Sequence, residues 1–145
     1  MSYITYEVRV YGNGDRHWYQ DGNRHRTDGP SCEEADGTKW WYQNGNLHRT
    51  DGPATEYADG YKAWYQNGER HRTDGPAVEY PNGHKEWYQN GKLHRTDGPA
   101  FECADGYKAW CLEGIELTEA EFNAKSKLSW DFELEGKKYK LTEVL

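Results

Sequence analysis

A chain of 145 residues has the length of a single domain. Hydrophobic residues make up only 34% of it and the mean hydropathy is -1.22, which excludes a thick aliphatic core. Aromatic residues, at 15%, must supply the buried area instead. The net charge of -7 argues against a nucleic-acid partner, because neutralising phosphates requires a surplus of Lys and Arg.

The ends of the chain and its cysteines bear on location. No basic-then-apolar leader and no apolar run of about 18 residues occurs, so we expect a cytoplasmic protein without membrane contact. The three cysteines form no C-x-x-C pair, which agrees with a reducing compartment. They occupy repeat positions held elsewhere by residues such as Thr55, Tyr57 and Tyr65, and we expect Cys32, Cys103 and Cys111 to act as small hydrophobic residues.

The chain is built from repeats of 23 residues. The sequence His-Arg-Thr-Asp-Gly-Pro begins at each of four positions separated by that interval, and a tryptophan series and a glycine series keep the same spacing. Three independent markers in one register identify tandem repeats. The series are His25, His48, His71, His94; Trp18, Trp41, Trp64, Trp87, Trp110; and Gly14, Gly37, Gly60, Gly83, Gly106.

Each repeat predicts short antiparallel strands. In the unit that begins at Asp59, the stretches 61–66, 69–72 and 77–80 are rich in aromatic and long polar residues. Asn-Gly or Asp-Gly steps bound them, and such steps favour type I′ hairpin turns because both central residues need positive φ. The fold class is therefore mainly β: tandem antiparallel β-hairpin repeats form an elongated single-sheet solenoid, in which each unit buries its aromatics against its neighbours.

Both ends are predicted to be caps. We expect an N-terminal capping strand over 1–12, the repeats over 13–114, and a helix-hairpin C-terminal cap over 115–145. Covering the open edges of a sheet prevents edge-to-edge aggregation. An open ribbon can also pair edge to edge into a homodimer.

The C-terminal cap has a local pattern for each element. Thr118 and Glu121 form a capping box, and Leu117 with Phe122 matches a hydrophobic staple, so a helix over about 119–126 is expected. Alternating hydrophobic residues on either side of a Glu-Gly step predict a final hairpin. These residues are Leu128, Trp130, Phe132, Leu134, Glu135, Gly136, Tyr139 and Leu141.

With these residues in view, the chain resembles MORN-type repeats. The period, the short strands and the phrase Trp-Tyr-x-Asn-Gly-x-x-His-Arg-x-Asp-Gly-Pro-Ala are similar to MORN-like variants of bacterial and bacteriophage open reading frames, over roughly 8–114. The resemblance implies a scaffold or protein-binding module. The chain has Lys-x-Trp where MORN repeats have Gly-Glu-Trp, so lipid binding is not carried over.

Three repeated polar series invite chemical hypotheses. The histidines could bind a metal, but a solenoid rise separates them, and the alternative is a hydrogen bond to a neighbouring Asp or backbone group. The arginines beside aromatic faces could hold a nucleotide phosphate; the alternative is ion pairing with the Asp or Glu series. No metal, cofactor or catalytic residue is assigned. The arginines are Arg26, Arg49, Arg72, Arg95, and the acids are Asp28, Asp51, Asp74, Asp97 and Glu33, Glu56, Glu79, Glu102.

The resulting functional hypothesis is a non-catalytic protein that binds another protein, because Tyr, Trp and Arg are enriched at interface hot spots. The resemblance to bacteriophage sequences implies a host protein as partner, inhibition of a host defence system as role, and the host cytoplasm as location. The alternative is a sponge for a phosphorylated small molecule or nucleotide, held on the Arg and aromatic ladders. Specificity is sought first where the repeat breaks, at Trp40, Pro81, His84 and after Gly114. Candidate binding residues are Trp40, Trp41, Tyr61, Trp64, Trp87, His48, Arg49, His71, Arg72, His94 and Arg95.

Overall fold

The computed structural model describes residues 5–128, 131–134 and 137–140, and it is mainly β. One long antiparallel sheet of successive hairpins runs through the repeats and is not closed into a barrel, and a single helix, α1 (Glu119–Leu128), follows it among the described residues. This confirms an elongated single-sheet repeat with a short C-terminal helix. In chain order the strands are β1 (Glu7–Val10), β2 (Arg16–Gln20), β3 (Asn23–Arg24), β4 (Cys32–Glu33), β5 (Lys39–Trp40), β6 (Tyr42–Gln43), β7 (Asn46–Leu47), β8 (Thr55–Glu56), β9 (Lys62–Ala63), β10 (Tyr65–Gln66), β11 (Glu69–Arg70), β12 (Val78–Glu79), β13 (Lys85–Glu86), β14 (Tyr88–Gln89), β15 (Lys92–Leu93), β16 (Phe101–Glu102), β17 (Lys108–Leu112), β18 (Ile115–Leu117), β19 (Asp131–Leu134) and β20 (Lys137–Lys140).

Two strands from each repeat enter the long sheet. Its order is β1-β2-β4-β5-β8-β9-β12-β13-β16-β17-β18, with β3 paired to β2, so neighbouring units join strand to strand. Ala63 lies opposite Thr55 on one side and Val78 on the other. The remaining strands of the middle units form the small hairpins β6-β7, β10-β11 and β14-β15.

The core is a thin line of small side chains along this sheet. Ala63, Ala77 and Val78 are completely buried, and the same is true of Cys32, Ala54 and Ala100. The larger tryptophan side chains of the repeats are only half-buried.

The predicted continuous strand over 61–66 is wrong, because it breaks at Trp64. The Trp64 amide donates to the Ala77 carbonyl at 2.8 Å, while the Trp64 carbonyl accepts from the His71 amide at 3.1 Å. The backbone thus pairs with the long-sheet strands β8 and β12 before Trp64 and with the hairpin strand β11 after it. Side-chain alternation carries no information about this change of backbone partner.

The two Gly-containing turns of each repeat differ. Asn67 and Gly68 have φ of 52° and 85°, as the predicted type I′ turn requires. At Asp59-Gly60 only the glycine has positive φ, so the type I′ expectation is wrong there. The Gly60 amide donates to the Tyr57 carbonyl, and the Asp59 carboxylate accepts from the Tyr61 amide at 2.9 Å. That side-chain bond holds a type I turn closed by a left-handed glycine.

The C-terminal helix begins at the predicted capping box. The Glu121 carboxylate accepts from the Thr118 amide at 2.8 Å, and the Thr118 hydroxyl accepts from the Glu121 amide at 3.2 Å. The buried ring of Phe122 lies on α1, which contacts β17 and β18. Because α1 extends to Leu128, the assignment of that residue to the final hairpin is wrong. No helix among the described residues is long and apolar enough to cross a bilayer.

The final hairpin is present as β19 and β20, with Phe132 opposite Tyr139. Its predicted flanking residue Trp130, its turn residues 135–136 and Leu141 lie outside the described residues. At the other end, β1 pairs with β2 along its whole length, from Glu7 opposite Tyr19 to Val10 opposite Arg16. The sheet therefore begins on a strand that precedes the first full repeat.

Candidate functional site

Every full repeat contains an arginine that lies over a tryptophan ring and is held by two carboxylates and a backbone carbonyl. We call this arrangement the arginine clamp. The Arg72 guanidinium carbon lies 4.0 Å from the centre of the Trp64 ring, and its Nε donates to Asp74 Oδ1 at 2.9 Å. Its Nη1 donates to the Pro76 carbonyl at 3.0 Å and to Glu79 Oε1 at 3.1 Å. Both predicted ion-pair partners are therefore engaged, together with one face of the cation. Arg26, Arg49 and Arg95 make the equivalent contacts with Trp18, Trp41 and Trp87.

The clamp makes the protein sensitive to acid. A hydrogen bond from Arg72, together with its positive charge, holds the pKa of Asp74 below its ordinary value of 3.8. Because the folded-state pKa is the lower one, this stabilisation is present above about pH 4 and is lost as the pH falls through the folded-state value. The same direction holds at Asp28, Asp51 and Asp97.

We therefore expect thermal stability to fall as the pH is lowered from 5 to 2, and to fall less steeply in the double variant Asp51→Asn, Asp74→Asn. Scanning calorimetry across that range measures the difference. The double variant removes two of the four titrating carboxylates but retains a hydrogen-bond acceptor at each position. Parallel profiles for the two proteins would show that the clamps do not control the acid response.

The histidines connect successive repeats. His48 Nδ1 accepts from the Asn67 amide at 3.1 Å and lies 3.0 Å from Asn67 Oδ1. Equivalent contacts join His25 to Asn44, His71 to Asn90 and His94 to Glu113. Within the described part of the chain, no three His, Cys, Asp or Glu side chains gather as a metal site requires.

Three equivalent polar grooves lie between successive Thr-Asp-Gly-Pro turns. Their volumes are 410, 560 and 400 Å³ from the first to the third. Each is lined by the turn of one unit and by the tryptophan, histidine and arginine of the next. Nine predicted residues line these grooves: Trp41, His48, Arg49, Trp64, His71, Arg72, Trp87, His94 and Arg95.

A row of aromatic rings runs along the opposite flank of the repeats. Neighbouring ring centres lie 5.0 to 6.4 Å apart, mostly edge to face, so the row is continuous across four units. Tyr57 and Tyr107 remain 42% and 56% exposed. We call this row the aromatic ridge; it consists of Trp40, Tyr57, Tyr61, Tyr80, His84, Phe101 and Tyr107.

A polar cluster supports the middle of the ridge. Arg70 Nη1 donates to Glu86 Oε2 and to the Tyr88 hydroxyl, both at 3.3 Å, and Arg70 Nε donates to the Tyr65 hydroxyl at 3.3 Å. The Tyr80 hydroxyl donates to Glu86 Oε1 at 3.1 Å. Burial, with the nearby Glu86 charge, raises the pKa of Tyr80 to about 12. The protonated phenol can therefore continue to donate its hydrogen bond to Glu86 well above neutral pH.

The predicted site residues thus divide between two surfaces. Trp40 and Tyr61 lie on the aromatic ridge, whereas the other nine lie in the polar grooves. Sequence reasoning missed Tyr57 and Arg24. The sequence does contain a signal for Arg24. It occupies the same repeat position as Arg70, but it has no glutamate 16 residues later, whereas Arg70 has one.

Two of the three cysteines are buried in the core. Cys32 is completely buried and Cys111 is 4% exposed, and all three thiols are free. Burial raises the pKa of Cys32 to about 11, and burial also raises the pKa of Cys111. Both thiols are protonated at neutral pH, so they are poor nucleophiles.

Comparison of the chain with protein-family models and with curated proteins gives no match. The function must therefore be inferred from the geometry of the two surfaces. Of these, the grooves are lined by groups already hydrogen-bonded within the repeats, and the ridge presents exposed rings.

Proposed function

We propose that this chain is a non-catalytic repeat protein that binds another protein through the aromatic ridge. The observation that carries the proposal is the continuity of the ridge, in which rings from four successive units contact one another and two tyrosines remain exposed. Tyr and Trp side chains dominate the energetics of protein interfaces because they offer large, rigid contact areas.

Preorganisation supports the ridge as an interface. The turn that carries Tyr57 and Tyr61 is closed by a backbone hydrogen bond from the Tyr57 amide to the Tyr61 carbonyl at 2.9 Å, and Tyr80 and His84 repeat that bond at 3.0 Å. The rings are thus held in place before a partner arrives. A rigid surface loses little conformational entropy on binding, which favours affinity.

The contacts of the clamp arginines favour a structural role for these residues over a role in binding a nucleotide. The nucleotide alternative needs a row of guanidinium groups free to bind phosphate, but Arg49 and Arg72 each use three of their five N–H donors within the repeat and cover a tryptophan face. The resemblance to bacteriophage repeats favours a host protein as partner, inhibition of a defence system as role, and the cytoplasm as location.

The test is capture of a protein from a bacterial host lysate by purified wild-type protein and by two matched double variants. Tyr57→Ala, Tyr107→Ala removes exposed rings of the ridge, and Thr50→Ala, Thr73→Ala changes exposed groove residues. We expect capture to be lost in the first variant and kept in the second. Capture that survives in the tyrosine variant would exclude the ridge as the interface.

A nucleotide released on denaturation of the purified wild-type protein, with no protein captured, would contradict the proposal and favour the sponge. Circular dichroism of each variant verifies that the repeats remain folded. Because both variants replace exposed side chains, neither change is expected to unfold the sheet.

A further inference from the structure

A cavity of 730 Å³ lies at the N-terminal end of the aromatic ridge, between the first and second repeats. Trp40, Tyr42 and Tyr57 form aromatic walls, and Arg24 lies at one side with its guanidinium carbon 5.5 Å from the centre of the Tyr42 ring. Arg24 is half-buried. In the described part of the chain it has no carboxylate within ion-pair distance, unlike the four clamp arginines.

The equivalent arginine of the third repeat has an ion-pair partner that Arg24 lacks. Arg70 occupies the same repeat position, and there the Glu86 carboxylate lies 3.3 Å from its guanidinium. The Arg24 site keeps the tyrosine neighbour, because Tyr42 is equivalent to Tyr88, but Trp40 stands at the position of Glu86. The chain therefore contains one copy of this arginine site filled by its own carboxylate and one copy in which that carboxylate is replaced by an aromatic wall.

Acidic groups line the same cavity. The Asp15 carboxylate accepts from the Ala35 amide at 2.9 Å, and the Asp36 carboxylate accepts from the Thr38 amide at 2.8 Å. Both are held in fixed orientations and retain lone pairs for further donors, since a carboxylate offers about four acceptor positions. The backbone hydrogen bond from Ala35 holds the pKa of Asp15 below its ordinary value, so the group is ionised at neutral pH.

We infer that this cavity binds a small zwitterion of the basic amino-acid type, with its carboxylate on Arg24 and its cationic side chain beside Asp15 and Asp36. The Arg70–Glu86 pair supplies the template for the carboxylate contact. The Trp40 ring also lines the cavity and offers a face for the cationic side chain. Nothing in this assignment depends on the protein partner proposed above.

The same charges disfavour a phosphate or nucleotide. A doubly charged phosphate would interact well with Arg24 but would bring negative charge close to Asp15 and Asp36. A ligand with one carboxylate and a net positive charge matches both Arg24 and the two carboxylates. The site thus differs in chemistry from a phosphate sponge.

The test is isothermal titration of the purified full chain with three probes of similar size. L-Arginine carries both end groups, agmatine lacks the carboxylate, and L-citrulline lacks the side-chain charge. We expect L-arginine to bind at least tenfold more tightly than either. Equal binding of L-arginine and agmatine, binding of inorganic phosphate as tight as that of L-arginine, or no heat from L-arginine would overturn the inference.

Three variants locate the binding. Arg24→Gln should weaken L-arginine binding at least tenfold and leave agmatine unchanged, whereas Arg70→Gln, the matched control, should leave both unchanged. Trp40→Glu should abolish L-arginine binding, because it supplies Arg24 with the carboxylate that Arg70 already has. Loss of binding in Arg70→Gln but not in Arg24→Gln would refute the assignment. Capture of a protein partner by Arg24→Gln separates this site from the ridge function.

Discussion

Replacing Arg72 with alanine is expected to lower the free energy of unfolding by about 3 kcal/mol, as a sum of lost charged hydrogen bonds and a lost cation–π contact. Arg72 joins Asp74, the Pro76 carbonyl and Glu79 across one turn, and its guanidinium covers the Trp64 ring at 4.0 Å. Equilibrium denaturation with urea, followed by tryptophan fluorescence, measures the change. Because each unit buries its surface against its neighbours, damage in this middle unit should reduce the stability of the whole array.

Two comparisons define the origin of this effect. Arg16→Ala removes an exposed arginine without an ion pair among the described residues, and it should change the free energy of unfolding by less than about 0.5 kcal/mol. Arg72→Lys keeps the charge but loses the planar fork, so it should recover only part of the loss. A lysine variant as stable as the wild type would show that charge alone, and not the geometry of the clamp, stabilises the turn.

Gly75→Ala is expected to destabilise the protein by about 1–3 kcal/mol through overpacking. A β-carbon at this position would lie 2.9 Å from the Arg72 guanidinium carbon. Gly75 does not have positive φ, so its requirement is space and not backbone conformation. Thermal unfolding by circular dichroism provides the measurement, with Gly12→Ala as control because nothing lies within 4 Å of that position.

The link between Gly75 and the clamp can be tested by a double-mutant cycle. If glycine is needed only to admit the guanidinium, adding Gly75→Ala to Arg72→Ala should cost much less than Gly75→Ala alone. Fully additive losses in the double variant would mean that the alanine disturbs the turn by another route. The same cycle can be repeated at Arg49 and Gly52, where the corresponding distance is also 2.9 Å.

Features that depend on neighbouring residues or on the period could be predicted from the sequence. The Asn67-Gly68 turn needs positive φ at both residues, and the Thr118–Glu121 box needs only a spacing of three, so each is determined locally. The 23-residue interval requires units that stack in a constant register, and the antiparallel single sheet follows from it. The pairing of the clamp arginines with acids also follows, because those acids recur in the same register.

Only the tertiary structure decided which side chains meet across unit boundaries. Trp64 interrupts its strand because its amide bonds to Ala77 beside the long sheet and its carbonyl bonds to His71 beside the local hairpin, and no local pattern encodes that choice. The aromatic ridge arises because the sheet brings Tyr61 against Tyr80 of its own unit and against Tyr57 of the preceding unit. Likewise Arg24 and Arg70 occupy equivalent positions, but their partners come from the following repeat, where one has Trp40 and the other Glu86. The sequence by itself therefore determined the repeating frame, and the packing of one repeat on the next determined the surfaces available for binding.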